Sequence, residues 1–350
     1  MSEASIGSFA ARLLGWFDIH GRHDLPWQHP RTPYRVWVSE IMLQQTQVST
    51  VIGYFANFVA RFPDLETLAA AEPDAVMAQW SGLGYYSRAR NLQRAAKICV
   101  DRFQGVLPST MDDLITLPGI GRSTAGAILA QAHGQSWPIL DGNVRRVLTR
   151  HEHIAGDPAN AAVQALLWKA AQACLPEWRV ADYTQATMDL GAVICTRSRP
   201  ACLICPVGAD CQARIAGDQD QYPSKRAKIV RPLRQCTQLL VVDAAGAVLL
   251  ERRPPVGIWP GLWSFIEAPT QEEAVVRLAA HEFYACKFRE FHSLRHEFTH
   301  FSLDISVQHT RLTHANIVAD ADRAWYSIDQ ALALGLPQPV RRTLEKFRDD

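Results

Sequence analysis

Four cysteines stand within 17 residues, in the order Cys195-x6-Cys202-x2-Cys205-x5-Cys211. The other four (Cys99, Cys174, Cys236 and Cys286) are scattered. Bunching of this kind points to a metal centre rather than a disulfide framework. Pro200 and Pro206 help the chain loop round a common point. Four thiolates suit tetrahedral zinc or a 4Fe-4S cluster, and the spacing alone leaves both open. A second kind of chemistry is acidic. Glu40, Gln44 and Gln47 fall at i, i+4 and i+7 of the stretch RVWVSEIMLQQTQVSTVI, which places them on one helical face. Asp141 precedes a second helix-like stretch in PILDGNVRRV, where a carboxylate caps the helix and is thereby held at a defined place. Two carboxyls in different surroundings can divide the roles of proton donor and anion. A third feature is the turn Pro118-Gly119-Ile120-Gly121, which leads into a helix of small residues. Free N–H groups at the start of such a helix can hold an anion, a phosphate being the natural one.

The elements that must position these groups are mostly helical up to residue 214. Helical periodicity recurs over 36–62, 65–80, 88–103, 111–117, 122–133, 143–150, 160–174 and 182–194, with Pro and Gly between the runs. Residues 215–236 have little apolar periodicity and read as a linker. The texture then becomes strand-like in TQLLVVDA, GAVLLERR, LWSFIEAP and HFSLDISVQH, interrupted by the helical QEEAVVRLAAHEF. The expected organisation is therefore a helical region over 1–214, a linker over 215–236 and a smaller α+β domain over 237–350.

Composition narrows the partners only a little. Net charge is +1, so any nucleic-acid face must come from local clusters. Two are candidates: Arg88, Arg90, Arg94, Lys97 and Arg102, and the acid-free run Lys225, Arg226, Lys228, Arg231 and Arg234. No apolar run approaches the roughly 18–20 residues a bilayer span needs. The N-terminal stretch lacks a basic leader and reads as an amphipathic helix, so the expected location is cytoplasmic.

These motifs carry a resemblance. The cysteine spacing behind a long helical region resembles the iron–sulfur loop of the endonuclease III superfamily. LPGIG resembles its helix-hairpin-helix motif, about 75 residues before the cysteine loop. SEIMLQQTQV matches the adenine DNA glycosylase (MutY) family of that superfamily nearly residue for residue. The C-terminal RRPPVGIWPGLWSFIEAP resembles the start of a Nudix fold, but QEEAVVRLAAHEFYACKF lacks the metal-binding Nudix box that should follow.

The resemblance implies a six-helix-barrel glycosylase with an iron–sulfur loop, followed by a Nudix-like domain without hydrolase activity. It implies a 4Fe-4S cluster on Cys195, Cys202, Cys205 and Cys211, holding a basic loop (Arg197, Arg199, Arg214) near DNA and taking no part in bond cleavage. The implied reaction is removal of adenine opposite 8-oxoguanine or guanine in double-stranded DNA, by a monomer. Glu40 would be the acid and Asp141 the ionised stabiliser, with Asn143 orienting it. The hairpin residues Pro118, Gly119, Ile120 and Gly121, with Ser123, would hold DNA.

Relatives that cleave the strand carry a lysine where Ser123 stands, so base removal without strand cleavage is expected. Tyr85, in Leu83-Gly84-Tyr85-Tyr86, would wedge into the stack. Leu83, Gln44, Gln45 and Thr46 would lie against DNA, Trp27 and Gln185 would line the adenine pocket, and Thr299 and His300 would read the lesion. The family's reading loop has a Phe-Ser-His core, and here Phe298-Thr299-His300 stands in its place. Three other readings compete. An endonuclease III-type lyase lacks support from Ser123 and from the extra domain, a Nudix hydrolase lacks the box, and a non-catalytic DNA sensor would not need both Glu40 and Asp141.

Overall fold

A computed structural model describes residues 8–224, 230–279, 287–312 and 322–350. Lys225, Arg226 and Lys228 of the second basic run, Cys286, and the end of the helix expected over 271–283 lie outside the described residues. Contacts divide the chain into two compact units: Met1–Ala70 with Asn91–Ala227, and Ala71–Arg90 with Lys228–Asp350. No helix among the described residues is long and apolar enough to cross a membrane.

The first unit is helical. α1 (Phe9–His20) starts at Ser8, whose hydroxyl accepts from the Ala11 N–H. It buries Phe9, Leu13, Leu14 and Phe17 against Val147, Tyr183, Ala186 and Leu190. α2 (Pro33–Leu43) is capped by Thr32 and begins at Pro33, whose fixed φ suits a first helical turn. α3 (Val48–Arg61) follows after a break at 44–47. The sequence reads as one helix through 36–62, and here the structure differs. Gln44 leaves helical geometry and Gln45 takes a left-handed φ of 59°. The reason is tertiary. α2 and α3 pack on one another, which one straight helix cannot do, and each buries its own apolar set, including Trp37, Ile41 and Met42, and Val51, Phe55 and Phe58. Glu40 and Gln47 therefore do not share a helical face. α4 (Leu65–Ala70) ends before Pro73, which opens α5 (Pro73–Trp80). The single helix expected over 65–80 is thus broken, because a proline cannot continue the ladder of the preceding turn.

α6 (Ser87–Phe103) leads to α7 (Met111–Leu114), the hairpin turn and α8 (Arg122–His133). α9 (Gly142–His151), α10 (Ala161–Ala173) and α11 (Val180–Asp189) follow, and α11 runs into a π-turn over Leu190–Ile194. The π-turn lies tight on α9. A Cβ on Gly191 would stand 2.6 Å from the Asn143 Cβ, so only glycine fits there. α12 (Gln212–Ala216) closes the cysteine loop. The chain through Tyr222 stays fixed to this unit, because the Arg150 Nε donates to the carbonyls of Gln219 and Tyr222.

The second unit joins residues 71–90 to a mixed sheet. β1 (Leu233–Val242), β2 (Val248–Arg252), β3 (Trp263–Ser264), β4 (Ile266–Ala268), β5 (Arg289–Glu297), β6 (Ser302–Arg311) and β7 (Arg323–Tyr326) form it, in the path β3-β2-β1-β6-β5. β1 and β6 are parallel, in register from Leu233 with Ser302 to Val242 with Arg311. β1 therefore begins within the stretch read as linker. β5 and β7 were not legible as strands: β5 is charged and half exposed, with a bulge between Glu290 and His292. α13 (Gln271–Ala279) covers the apolar face of Leu239, Val241, Leu249 and Ile266 through Ala274 and Leu278. α14 (Ile328–Leu332) and α15 (Gln338–Asp349) complete the described chain. Residues 71–90 are fastened to this sheet. Arg252 grips the Asp74 carboxylate with two bonds of 2.7 Å. The Ser81 and Tyr86 hydroxyls both donate to the Leu336 carbonyl, at 3.1 and 2.8 Å.

Candidate active site

Glu40 sits in the last turn of α2, with Val38, Ser39, Ile41 and Met42 buried beside it. The residue keeps a little solvent exposure, but protein atoms enclose its carboxyl. Burial, and then the negative charge of Asp141, push that carboxyl up to about 8. One bond opposes them: the Gln131 Nε2, from α8, donates to the Glu40 Oε1 at 3.1 Å.

Asp141 is the N-cap of α9, and its Oδ1 accepts from the Val144 N–H at 2.7 Å. Burial raises this carboxyl too, but backbone N–H bonds from Val144 and Asn143 and the charges of Arg146 and Arg145 pull the other way. The two acids therefore differ in what holds their charge. Asp141 has amides and guanidinium groups, whereas Glu40 has one side-chain amide. At neutral pH the site keeps its proton on Glu40.

The shell behind Asp141 is ordered. The Asn143 Oδ1 accepts from the Arg146 Nη2 at 3.0 Å. Arg146 also donates to the Gly191 carbonyl at 2.6 Å and, through Nε, to the Cys195 carbonyl at 2.7 Å. Ser123, in the first turn of α8, turns its hydroxyl inward and accepts from the Leu140 N–H at 2.9 Å, next to Asp141 in the chain.

In the hairpin, Gly119 has φ 83°, and Ile120 is buried, so the turn offers backbone rather than side chain. Gly121 brings no capping side chain to α8, which leaves that helix's first N–H groups for an outside acceptor. The Gln44 Nε2 reaches the Thr124 Oγ1 of the same helix at 3.4 Å. Gln45 is exposed at the α2–α3 break, with Thr46 half-buried beside it. Trp27 is buried, edge-on to Phe55 at 5.5 Å. Gln185 is buried on α11. Its Nε2 donates to Asp189, which Arg22 holds through side chain and backbone, while its Oε1 has no partner among the described residues.

Cys195, Cys202, Cys205 and Cys211 line one cavity with Val147, Leu190, Ile194 and Val207. All four are free thiols. Among the described residues, no three Cys, His, Asp or Glu side chains are grouped to hold a single ion. Arg150 braces the loop: its Nη1 donates to the Cys195 Sγ at 3.3 Å and to the Thr196 carbonyl at 2.7 Å.

The second unit carries its own groove. Tyr85, Trp259, Phe298, Thr299 and His300 line it together with Arg90, Arg231 and Arg234. Tyr85 is exposed and holds a left-handed φ of 49°, whereas Leu83 is buried. Thr299 and His300 sit at the β5–β6 turn with the Thr299 Oγ1 3.2 Å from the His300 Nδ1. Phe298 stacks on Phe301 at 4.4 Å, and Arg234 lies over the Phe301 ring. The basic cluster read at 88–102 is not one face. Arg88 is buried under the Tyr85 ring and donates to the Gly84 carbonyl at 3.0 Å, and Arg90 is bonded to the Pro260 carbonyl. Loop carbonyls that need a donor draw these two arginines inward, leaving Arg94, Lys97 and Arg102 exposed.

A family model described as HhH-GPD superfamily base excision DNA repair protein matches residues 38–173, and a NUDIX domain model matches 237–346. The chain is 36% identical to the adenine DNA glycosylase of Buchnera aphidicola subsp. Acyrthosiphon pisum (strain APS), over 97% of each chain. The chain belongs to the adenine DNA glycosylase family. The adenine DNA glycosylase of Homo sapiens is 38% identical over 75% of this chain and 58% of its own length. Two solved structures share the fold of the helical region. A thermostable thymine-DNA glycosylase has TM-score 0.54 at 24% identity, covering 59% of this chain and 95% of its own. A non-covalent endonuclease III–DNA complex has TM-score 0.52 at 20% identity, covering 62% and 98%. The architecture is thus a helix-hairpin-helix glycosylase region followed by a Nudix-like α+β domain, as the family resemblance implies.

Four residues around these sites escape sequence reasoning. Gln131 is a large polar side chain amid the Ala-rich second half of its helix, and that is its one sequence signal. Arg146 and Arg150 are four apart on α9 and look like an ordinary basic stripe until their acceptors are known. Trp259, with φ 49°, is hidden in a Gly- and Pro-rich loop.

Proposed function

We propose that the chain excises adenine mispaired with 8-oxoguanine or guanine in double-stranded DNA, acting as a monomer and leaving an abasic site. The observation that carries this reading is the unequal carboxyl pair. Glu40 retains its proton up to about pH 8, while Asp141 is held by N–H groups and flanked by Arg145 and Arg146. Glu40 gives its proton to adenine N7. The C1′–N9 bond then breaks with its electron pair on the base, which departs neutral. Asp141 stabilises the cationic sugar until water adds at C1′, as in two-carboxylate glycosidases. Asn143, held by Arg146, orients Asp141.

The base must leave the stack first, at a cost lowest for a mispair. Tyr85 fills the gap. Trp27 packs beside the base, and the unpartnered Gln185 Oε1 accepts from its amino group. The hairpin at 118–121 and the α8 N-terminus hold a phosphate, Gln44 faces DNA, and Gln45, Thr46 and Leu83 lie beside the opposite base. Thr299 and His300 read the opposite base. Ser123 has no amine, so no imine forms and the strand stays intact. The four cysteines hold a 4Fe-4S cluster. The four cysteine side chains line one cavity and are free thiols, the donor set such a cluster needs. The cluster cross-links the basic loop and supplies no step of the reaction. The proposed place of action is the cytoplasm, on its DNA.

The test is a single-turnover excision assay on duplexes holding A opposite 8-oxoguanine, A opposite guanine, and oxidised pyrimidines. Excision of adenine from the first two, and not of oxidised pyrimidines, is expected. Trapping of a covalent DNA adduct by borohydride would overturn the monofunctional part. Iron and acid-labile sulfide analysis of the purified protein checks the cluster.

A further inference from the structure

Gln131 lies in the last turns of α8 and is buried. Its Nε2 donates to the Glu40 Oε1 at 3.1 Å. Its own Oε1 is enclosed and meets no partner among the described residues. A buried amide with an unmet acceptor costs stability, and an apolar side chain of similar volume would fill the space without that cost. Packing alone therefore gives no reason for an amide here, whereas the bond to the acid does.

A protonated carboxyl has two unlike oxygens, a carbonyl that accepts and a hydroxyl that donates. We propose that Gln131 is a positioning residue for the general acid: by donating to Oε1 it makes that oxygen the carbonyl and leaves Oε2 to carry the proton toward the base. The inference rests on the reading of Glu40 as the acid. The same bond favours the ionised form of Glu40 and so eases release of the proton. The groups facing Glu40 are few. Asp141, at the cap of α9, is the charged one, and Gln131, from α8, does not titrate.

The experiment is the pH dependence of single-turnover excision, from A opposite 8-oxoguanine, for wild type, Gln131→Leu, Gln131→Met and Glu40→Gln. Both Gln131 variants are expected to lose about tenfold in the neutral-pH rate, and their alkaline limb is expected to move up by about one pH unit, the scale of one hydrogen bond to a charged group. Their thermal midpoints are expected to stay close to wild type, because each variant removes one orphaned acceptor, the Gln131 Oε1, and leaves another, the Glu40 Oε1. A limb that stays at the wild-type pH, at any rate, overturns the inference, since a purely structural role would not move it. If Glu40→Gln itself excises adenine normally, the acid assignment fails. If Glu40→Gln is inactive and the Gln131 profiles match wild type, only the role of Gln131 fails.

Discussion

The carboxyl pair of the helical unit and the aromatic groove of the second unit lie in opposite surroundings. Glu40 and Asp141 are enclosed, and burial raises both carboxyls, helped at Glu40 by the Asp141 charge and opposed by Gln131 at Glu40 and by backbone N–H groups, Arg146 and Arg145 at Asp141. Thr299 and His300 are exposed at a strand turn and bonded mainly to each other. Proton transfer needs a charge held in a poorly screened place, where a neighbour's charge counts in full. Reading a base edge needs reach, stacking surfaces and freedom to adapt, which an open groove with Trp259 and Phe298 provides. Single substitutions should therefore be severe at the first site and graded at the second.

The largest test is Glu40→Gln. Its single-turnover rate is expected to fall by at least about 10²–10⁴, the usual contribution of a positioned acid. A loss below tenfold would erase the contrast between the sites. Asp141→Asn comes next, with a loss on the order of 10²-fold. Asparagine still caps α9, so the fold should survive. Without the like charge, Glu40 ionises more easily, and the alkaline limb of the residual activity is expected to move to lower pH.

The third prediction uses stability. Glu40 ionises near 4.5 in its ordinary state and near 8 in the folded chain. Between those values the folded chain binds the extra proton, so stability falls as pH rises through that window. Glu40→Gln should remove this dependence and melt higher than wild type above pH 8, by an amount on the order of a few kcal/mol. Equal melting of the two proteins at every pH would mean that the acid is not held in a charge-hostile place.

The smallest effects belong to the groove. Thr299→Ala and His300→Ala are expected to change the preference for 8-oxoguanine over guanine by about threefold to tenfold, roughly one hydrogen bond each, with excision opposite guanine unchanged. A hundredfold loss on both duplexes would place these residues in the chemistry instead of the reading.

The sequence was most legible where one local rule decides the outcome. Asp141 caps its helix as its position ahead of an apolar run suggests, and α8 spans Arg122–His133 as its periodicity reads. Legibility failed where distant contacts override local pattern. The 36–62 periodicity is continuous, yet α2 and α3 must pack together, and Gln45 adopts a left-handed turn to let them. Arg88 and Arg90 look like a DNA-facing pair, but the carbonyls of Gly84 and Pro260 claim them. Gln131 could not be paired with Glu40, 91 positions away, before the helices were set side by side.

The second unit is assembled from two stretches, Ala71–Arg90 and Lys228–Asp350. On the ribosome the first stretch emerges ~140 residues before the second begins, which at typical elongation rates is roughly 10–30 s. Through that interval Met77, which packs on Gly335, and Ser81 and Tyr86, which bond to Leu336, lack their final neighbours. The loop that carries Tyr85 therefore reaches its final packing only after the tail has been synthesised. A chain cut before β1 would lose more than the sheet, because it would also leave residues 81–86 without that support. Transferring the second unit to another protein would accordingly require moving both stretches together.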